Sequence, residues 1–208
     1  MILALTILTA YLSGSIPSGV WISRMVRGID IRQHGSGNPG AANVARVVGA
    51  PWGVTVGLFD VLKGFAPVFW LGPIASASSG LGLGDVRLLL GAAAVLGHLL
   101  PVFARFKGGK GVLTGMGVMI ALMPLEVAIA AAVWAAVFAI SRTVSLGSLT
   151  AALALVVVVF ARRFIFHVPI ANSLIVATLL LAILLFWTHR SNISRLKQGG
   201  ESRFKKVQ

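Results

Sequence analysis

A series of apolar runs, each close to the length a helix needs to cross the hydrocarbon of a bilayer, limits this chain more than anything else in its sequence. They occupy residues 2–21, 51–71, 88–103, 149–166 and 170–187, with a longer stretch over 112–140. Of the 208 residues, 57% are hydrophobic and only 11% charged. A soluble domain of this size carries roughly a quarter charged residues, so the composition points to lipid as the main solvent. The first run has no Lys or Arg before Arg24. A secretory leader needs positive charge ahead of its apolar stretch, so this run is expected to be a first membrane span.

The stretch 112–140 is interrupted by Pro124 and Glu126. Proline removes a backbone donor and a carboxylate is costly in hydrocarbon, so two short helices, 112–123 and 125–140, are predicted with a turn between them. The charges agree with this division. With seven crossings, fourteen of the 18 Lys and Arg fall on one side, in the segments around Arg24–Arg46, Arg105–Lys110, Arg142 and the C-terminus. The positive-inside rule makes that side cytoplasmic. The expected fold is therefore an all-α integral membrane protein, a seven-helix bundle with the N-terminus outside and the C-terminus in the cytoplasm. A single membrane domain, 1–198, is followed by a basic tail, 199–208. A small-residue outer loop is expected over 76–84.

Only Asp30, Asp60, Asp85, Glu126 and Glu201 are acidic, which leaves a formal net charge of +13. In a soluble chain that excess would suggest nucleic acid. In this apolar one it favours anionic headgroups and phosphorylated substrates, with no nucleic acid. There is no cysteine, which excludes disulfides, thiolate metal sites and an enzyme-bound thioester. No His, Cys or Glu cluster has metal-ligand spacing, so neither a metal nor another cofactor is expected.

Four polar segments share the basic side. The first, Gly35-Ser36-Gly37-Asn38-Pro39-Gly40-Ala41-Ala42-Asn43-Val44-Ala45-Arg46, allows close backbone approach and an anion-binding turn, or is simply a flexible loop. The second runs from Gly97-His98 to Arg105-Phe106-Lys107-Gly108-Gly109-Lys110-Gly111. It lacks the spacing and the Ser or Thr of a nucleotide P-loop, but its cations and glycines suit a phosphate at the interface. The alternative is an ordinary positive-inside loop. The third, Ser141-Arg142-Thr143-Val144-Ser145, offers hydroxyls whose commoner use is helix capping. In the fourth, from His189-Arg190-Ser191-Asn192 to Glu201, a helix would put His189 and Asn192 on one face. A lipid-gripping interfacial helix would look the same. Asp60 and Lys63 form an i, i+3 pair inside the second span, which is either structural or a transport or proton site.

In order and spacing, these segments resemble the bacterial acyl-phosphate:glycerol-3-phosphate acyltransferases, the PlsY family. The matching features are SGSIPSG, GSGNPGAANVAR, DVLKG, GHLLPVFARFKGGKGV, SRTVSLGS and HRSNISRLKQGGE. One departure is Ala42, where the family usually carries threonine. The resemblance implies transfer of a fatty acyl group from acyl phosphate to the 1-hydroxyl of glycerol 3-phosphate at the bacterial inner membrane, on its cytoplasmic face. The products are lysophosphatidic acid and phosphate, and a functional link to an acyl-phosphate-forming enzyme follows. It implies catalytic roles for Ser36, Arg46, Lys110, His189 and Asn192. Substrate contacts are implied for Gly37, Asn38, Asn43, His98, Lys107, Gly108, Gly109, Gly111 and Ser145, and a structural role for Glu201. The HxxxxD motif of acyl-CoA-dependent membrane acyltransferases is absent: Pro39, Phe103, Asn172 and Ser194 stand five residues past the four histidines. The residues alone leave two rival readings. One is a transporter of an anionic or phosphorylated solute, which needs midplane polarity and two-sided access. The other is a lipid-binding assembly factor.

Overall fold

A computed structural model of the chain describes residues 1–204. Every element among them is helical, and the chain forms two compact units, 1–122 and 123–208. Residues 205–208 of the predicted tail 199–208 lie outside the described residues.

The first unit opens with α1 (Ile2–Gly14) and α2 (Ser18–Arg27). The expected span 2–21 is interrupted by a short turn yet stays within one candidate span, Ile2–Arg27. Pro17 has no N–H to continue the ladder and pushes Ile16 out of the helical region, so α1 stops and α2 restarts after a short turn. α3 (Ala41–Val47) follows the first polar segment. α4 (Ala50–Ala66) continues through a π-helical turn at Pro67–Leu71 into α5 (Gly72–Ser79). Most of the expected outer loop 76–84 is therefore helix. Pro73 restarts the helix in its first turn, Ala and Ser sustain it, and Gly80 ends it with φ 71°. α6 (Leu83–Leu99) and α7 (Val112–Leu122) complete the unit.

These helices approach closely where side chains are missing. A Cβ at Gly14 of α1 would run into the backbone of Ala94 on α6, and one at Gly64 of α4 into that of Thr114 on α7. Lipid supplies no hydrophobic drive between helices, so small residues at the crossings are what let dispersion hold them. Leu58, Leu62, Trp70 and Leu96 point outward instead. Val20, Ile31, Val44, Val48 and Val56 pack into a buried cluster that anchors α2, α3 and α4 around the first polar segment.

The second unit begins at Met123, whose non-helical backbone (φ −150°, ψ 72°) breaks the apolar stretch where the sequence predicts a turn. Pro124 opens α8 (Pro124–Ser141). α9 (Val144–Phe160) continues into a π-helical turn, Ala161–Ile165, and is followed by α10 (Asn172–Thr188) and α11 (Arg190–Lys197). Glu126, buried in the first turn of α8, meets Arg162 of that π-turn at 2.6 Å. Its charge is thereby matched, as an intramembrane carboxylate requires.

Among the described residues, five helical runs are long and apolar enough to cross a membrane: Ile2–Arg27, Ala50–Ser79, Leu83–Ala104, Pro124–Ser141 and Val144–Ile165. α10 with α11, bent by 59°, makes a sixth if taken as one span. At 11 residues, α7 is only ~17 Å long.

Candidate active site

In the first unit the Gly35–Arg46 segment is shaped by its own amides. Asn43 is almost fully buried. Its Oδ1 accepts the Ser36 N–H at 2.9 Å, and its Nδ2 donates to the carbonyls of His34 (2.9 Å) and Ile31 (3.3 Å). Asn38 Oδ1 takes the Gly40 N–H at 2.9 Å. Gly37, at φ 72°, turns the chain in a conformation that side chains rarely adopt. The outcome is an exposed Ser36 on a braced loop, with Arg46 partly buried in α3 behind it.

Ahead of the loop, Asp30 binds Arg32 at 2.6 Å and Arg24 at 2.9 Å. The hydrogen bond from Arg32 holds the Asp30 carboxyl well below the usual carboxylate range, against the opposing effect of partial burial. The same carboxylate raises the Arg32 guanidinium. Arg32 then reaches the carbonyl of Ala104 with Nη1 at 3.0 Å, which ties the first segment to the second.

The second segment is compact. Arg105 and Phe106 both have positive φ (56° and 59°), conformations that disfavour residues with side chains and here turn the chain tightly before Lys107. Gly109 donates to His98 O at 3.2 Å. A Cβ at Gly108 would collide with the carbonyls of His98 and Leu99, and one at Gly109 with the His98 ring. The loop therefore lies directly on His98, which is itself buried at the end of α6 with Nδ1 3.0 Å from Thr114 Oγ1. Lys107 is exposed, Lys110 partly buried, and Gly111 turns at φ 83° into α7.

A small cavity joins the two segments. Pro39 comes from the first, Lys107, Gly108 and Gly109 from the second, and Asp60 and Lys63 lie beneath. Asp60 and Lys63 pair at 2.7 Å, both buried, so the i, i+3 spacing read from the sequence is an ion pair.

In the second unit, His189 sits at the junction of α10 and α11 and is buried. Its Nδ1 lies 2.7 Å from the Leu185 carbonyl. A carbonyl only accepts, so Nδ1 carries the hydrogen and Nε2 is the basic nitrogen of the neutral ring. Asn192, three residues on, donates through Nδ2 to Glu201 Oε1 at 2.5 Å. Ser145 donates to the same oxygen at 2.7 Å, and Arg195 Nε to Oε2 at 2.8 Å. Ser145 thus bonds across the fold, and neither it nor Thr143 makes the side-chain cap the sequence allowed at α9. Burial favours the neutral form of Glu201, but the bonds from Ser145, Asn192 and Arg195 outweigh it and hold the carboxyl below its ordinary range.

The predicted residues fall into two sets. Ser36, Gly37, Asn38, Asn43, Arg46, His98 and Lys107–Gly111 belong to the first unit; Ser145, His189, Asn192 and Glu201 belong to the second. Asp30, Arg32, Ser18 and Thr114 escaped the sequence reading. Asp30 and Arg32 pair locally and Ser18 lies within SGSIPSG, but the ties of Arg32 to Ala104, Ser18 to Asp60 and Thr114 to His98 join distant elements that no spacing connects. No three His, Asp or Glu side chains converge as metal ligands among the described residues.

A sequence profile described as glycerol-3-phosphate acyltransferase matches residues 4–199. A glycerol-3-phosphate acyltransferase of Salinibacter ruber is 47% identical, over 96% of this chain and 91% of its own. One from Desulforudis audaxviator is 43% identical, over 94% and 92%. A crystal structure of PlsY, an integral membrane glycerol 3-phosphate acyltransferase in its glycerol 3-phosphate form, is similar with a TM-score of 0.85 at 38% identity, over 98% of this chain and 96% of that one. The lysophosphatidic acid form of PlsY gives 0.82 at 37%, over 98% and 95%.

Proposed function

We propose, from the premise that this chain belongs to the glycerol-3-phosphate acyltransferase family and is a membrane acyltransferase, a specific donor and a division of roles for its residues. The acceptor is glycerol 3-phosphate and the lipid product lysophosphatidic acid. The donor is acyl phosphate: the 1-hydroxyl oxygen bonds to the acyl carbonyl carbon, the carbonyl–phosphate bond breaks, and phosphate leaves.

The observation that carries this reading is the pair of braced, glycine-rich basic segments joined by Arg32 and Ala104. Acyl phosphate is already activated, so the protein's work is to bring two anions together and orient the hydroxyl. Ser36, Asn38 and Arg46 receive one phosphate, on the turn that Gly37 makes. Gly108, Gly109, Lys110 and Gly111, with Lys107, receive the other, which we assign to glycerol 3-phosphate. Asn43 and His98 sit buried behind these loops and set their shape. His189 and Asn192 orient the nucleophile or the developing oxyanion, with Ser145 and Glu201 fixing Asn192. The proton leaves to His189 Nε2 or to an oxygen of the acyl phosphate itself.

The chain is read as a seven-span protein of the bacterial inner membrane, with α7 completing the count, the N-terminus outside and the active face cytoplasmic. The placement of fourteen basic residues in segments of one sidedness supports this. A single domain, 1–198, carries the activity, and an acyl-phosphate-forming enzyme supplies its donor.

Purified protein given acyl phosphate, acyl-CoA and acylated carrier protein separately tests the donor. Phosphate release with stoichiometric lysophosphatidic acid is expected from the first alone, and turnover with either thioester overturns the assignment. Labelling of single cysteines at Lys110 and His189 tests the sidedness, and opposite faces would end it.

A further inference from the structure

Asp60 and Lys63 stand on α4, yet beyond each other their side chains hydrogen-bond to the break between α1 and α2. Lys63 Nζ donates to the Ile16 carbonyl at 2.9 Å, where α1 has stopped. Asp60 Oδ1 accepts from Ser18 Oγ at 2.8 Å, where α2 begins. The pair therefore holds both sides of the Pro17 break. One residue further on, a Cβ at Gly19 would collide with the carbonyl of Pro39, so the start of α2 is also the seat of the first loop. On the other side, His98 Nδ1 lies 3.8 Å from Asp60 Oδ1. His98 is in the last turn of α6, is bonded to Thr114 in the first turn of α7, and carries Gly108 and Gly109 on its ring and carbonyl.

Stability alone is a poor reason for this arrangement. A buried ion pair loses solvation that its attraction barely restores, and apolar replacements are commonly neutral or better. Charges inside a membrane segment are costly for the same reason and point to function. An apolar pair in these positions would have no means of holding the Ile16 carbonyl or the Ser18 hydroxyl.

We infer that Asp60 and Lys63 are positioning residues for the acyl transfer: one buried ion pair fixes the α1–α2 break beneath the first loop and His98 beneath the second, so that both phosphate-handling loops keep their spacing. Neither residue touches the reacting atoms. This rests on the assignment of the two loops made above.

The test is the Asp60→Asn/Lys63→Met double variant, which removes both charges together, with Ser18→Ala beside it. A purely structural role lowers the amount of folded enzyme and leaves KM unchanged in the molecules that survive. Displaced loops raise KM for glycerol 3-phosphate and for the donor in fully folded protein. The expected result is a KM about fivefold higher or more for both substrates in the double variant, and a smaller rise in Ser18→Ala, with unchanged melting temperature. Should the double variant not fold, Ser18→Ala decides, since it removes one hydroxyl and no charge. Wild-type KM values, or activity that merely follows the folded fraction, overturn the inference. KM for glycerol 3-phosphate is measured with whichever donor supports turnover in the unaltered protein, so a wrong donor assignment shows separately.

Discussion

Arg32 Nη1 donates to the carbonyl oxygen of Ala104 at 3.0 Å, across 72 residues of chain. The same guanidinium holds Asp30 through Nε and Nη2 at 2.9 and 2.6 Å. One planar, multi-donor group thus sets the distance between the two glycine-rich segments. Losing a charge-assisted bond costs about 1.5–3 kcal/mol, so Arg32→Ala is expected to lower kcat/KM by about tenfold or more in steady-state acyl transfer. Arg32→Lys should recover little, because an ammonium cannot bind a carboxylate in a fork and a carbonyl at once.

Glu201 is expected to make the second unit acid-sensitive. Its folded carboxyl titrates below the ordinary glutamate value of 4.5. A depressed carboxyl adds stability above the unfolded value and loses it as pH falls through the folded one. Melting temperature should therefore decline as pH drops below 4.5, together with the hold on Asn192 and Ser145. Glu201→Gln should be less stable at neutral pH and flatter across that acid window. Thermal unfolding of the two proteins against pH checks this, and parallel curves would refute it.

Much of the architecture is visible in the letters. The apolar runs mark the helices, and Pro124 marks the break at Met123, because span length and proline chemistry are local properties. The break at Pro17 is equally local, but an apolar run passing straight through SGSIPSG hides it. The helix over residues 76–79 is hidden too, because small residues suit a turn as well as a helix. At the site, the glycines and cations are legible as types. What each amide does is not: Asn43 reads as a ligand contact, while its buried amide braces Ser36 and the carbonyls of Ile31 and His34. Nor does any spacing reveal that Ser145 and Asn192 share one oxygen of Glu201, since that meeting depends on how α9, α11 and the following turn pack.

His189 allows a direct test of where the proton goes. With Nδ1–H committed to Leu185, Nε2 is the nitrogen able to accept the hydroxyl proton. If it is the sole base, the wild-type rate rises with pH through the histidine range and His189→Ala shows a small, pH-independent residue. A residual rate in His189→Ala that still rises through that range excludes His189 as the sole base.

Gly109 gives the sharpest steric prediction. A methyl group there would overlap the His98 ring at Nε2, Cε1 and Cδ2. The ring has little room to retreat, with Thr114 bonded to Nδ1 and Asp60 close by. Overpacking of this kind costs about 1–3 kcal/mol, so Gly109→Ala should lower both melting temperature and turnover. Residues in direct contact do not act additively, and the clash needs both partners. Adding His98→Ala to Gly109→Ala should therefore recover stability, although His98→Ala alone destabilises by opening a cavity beneath the loop. Activity should not return with it, because the loop would then rest on nothing fixed. A double variant at least as unstable as the sum of the two single losses would show that the cost of Gly109→Ala does not come from contact with His98.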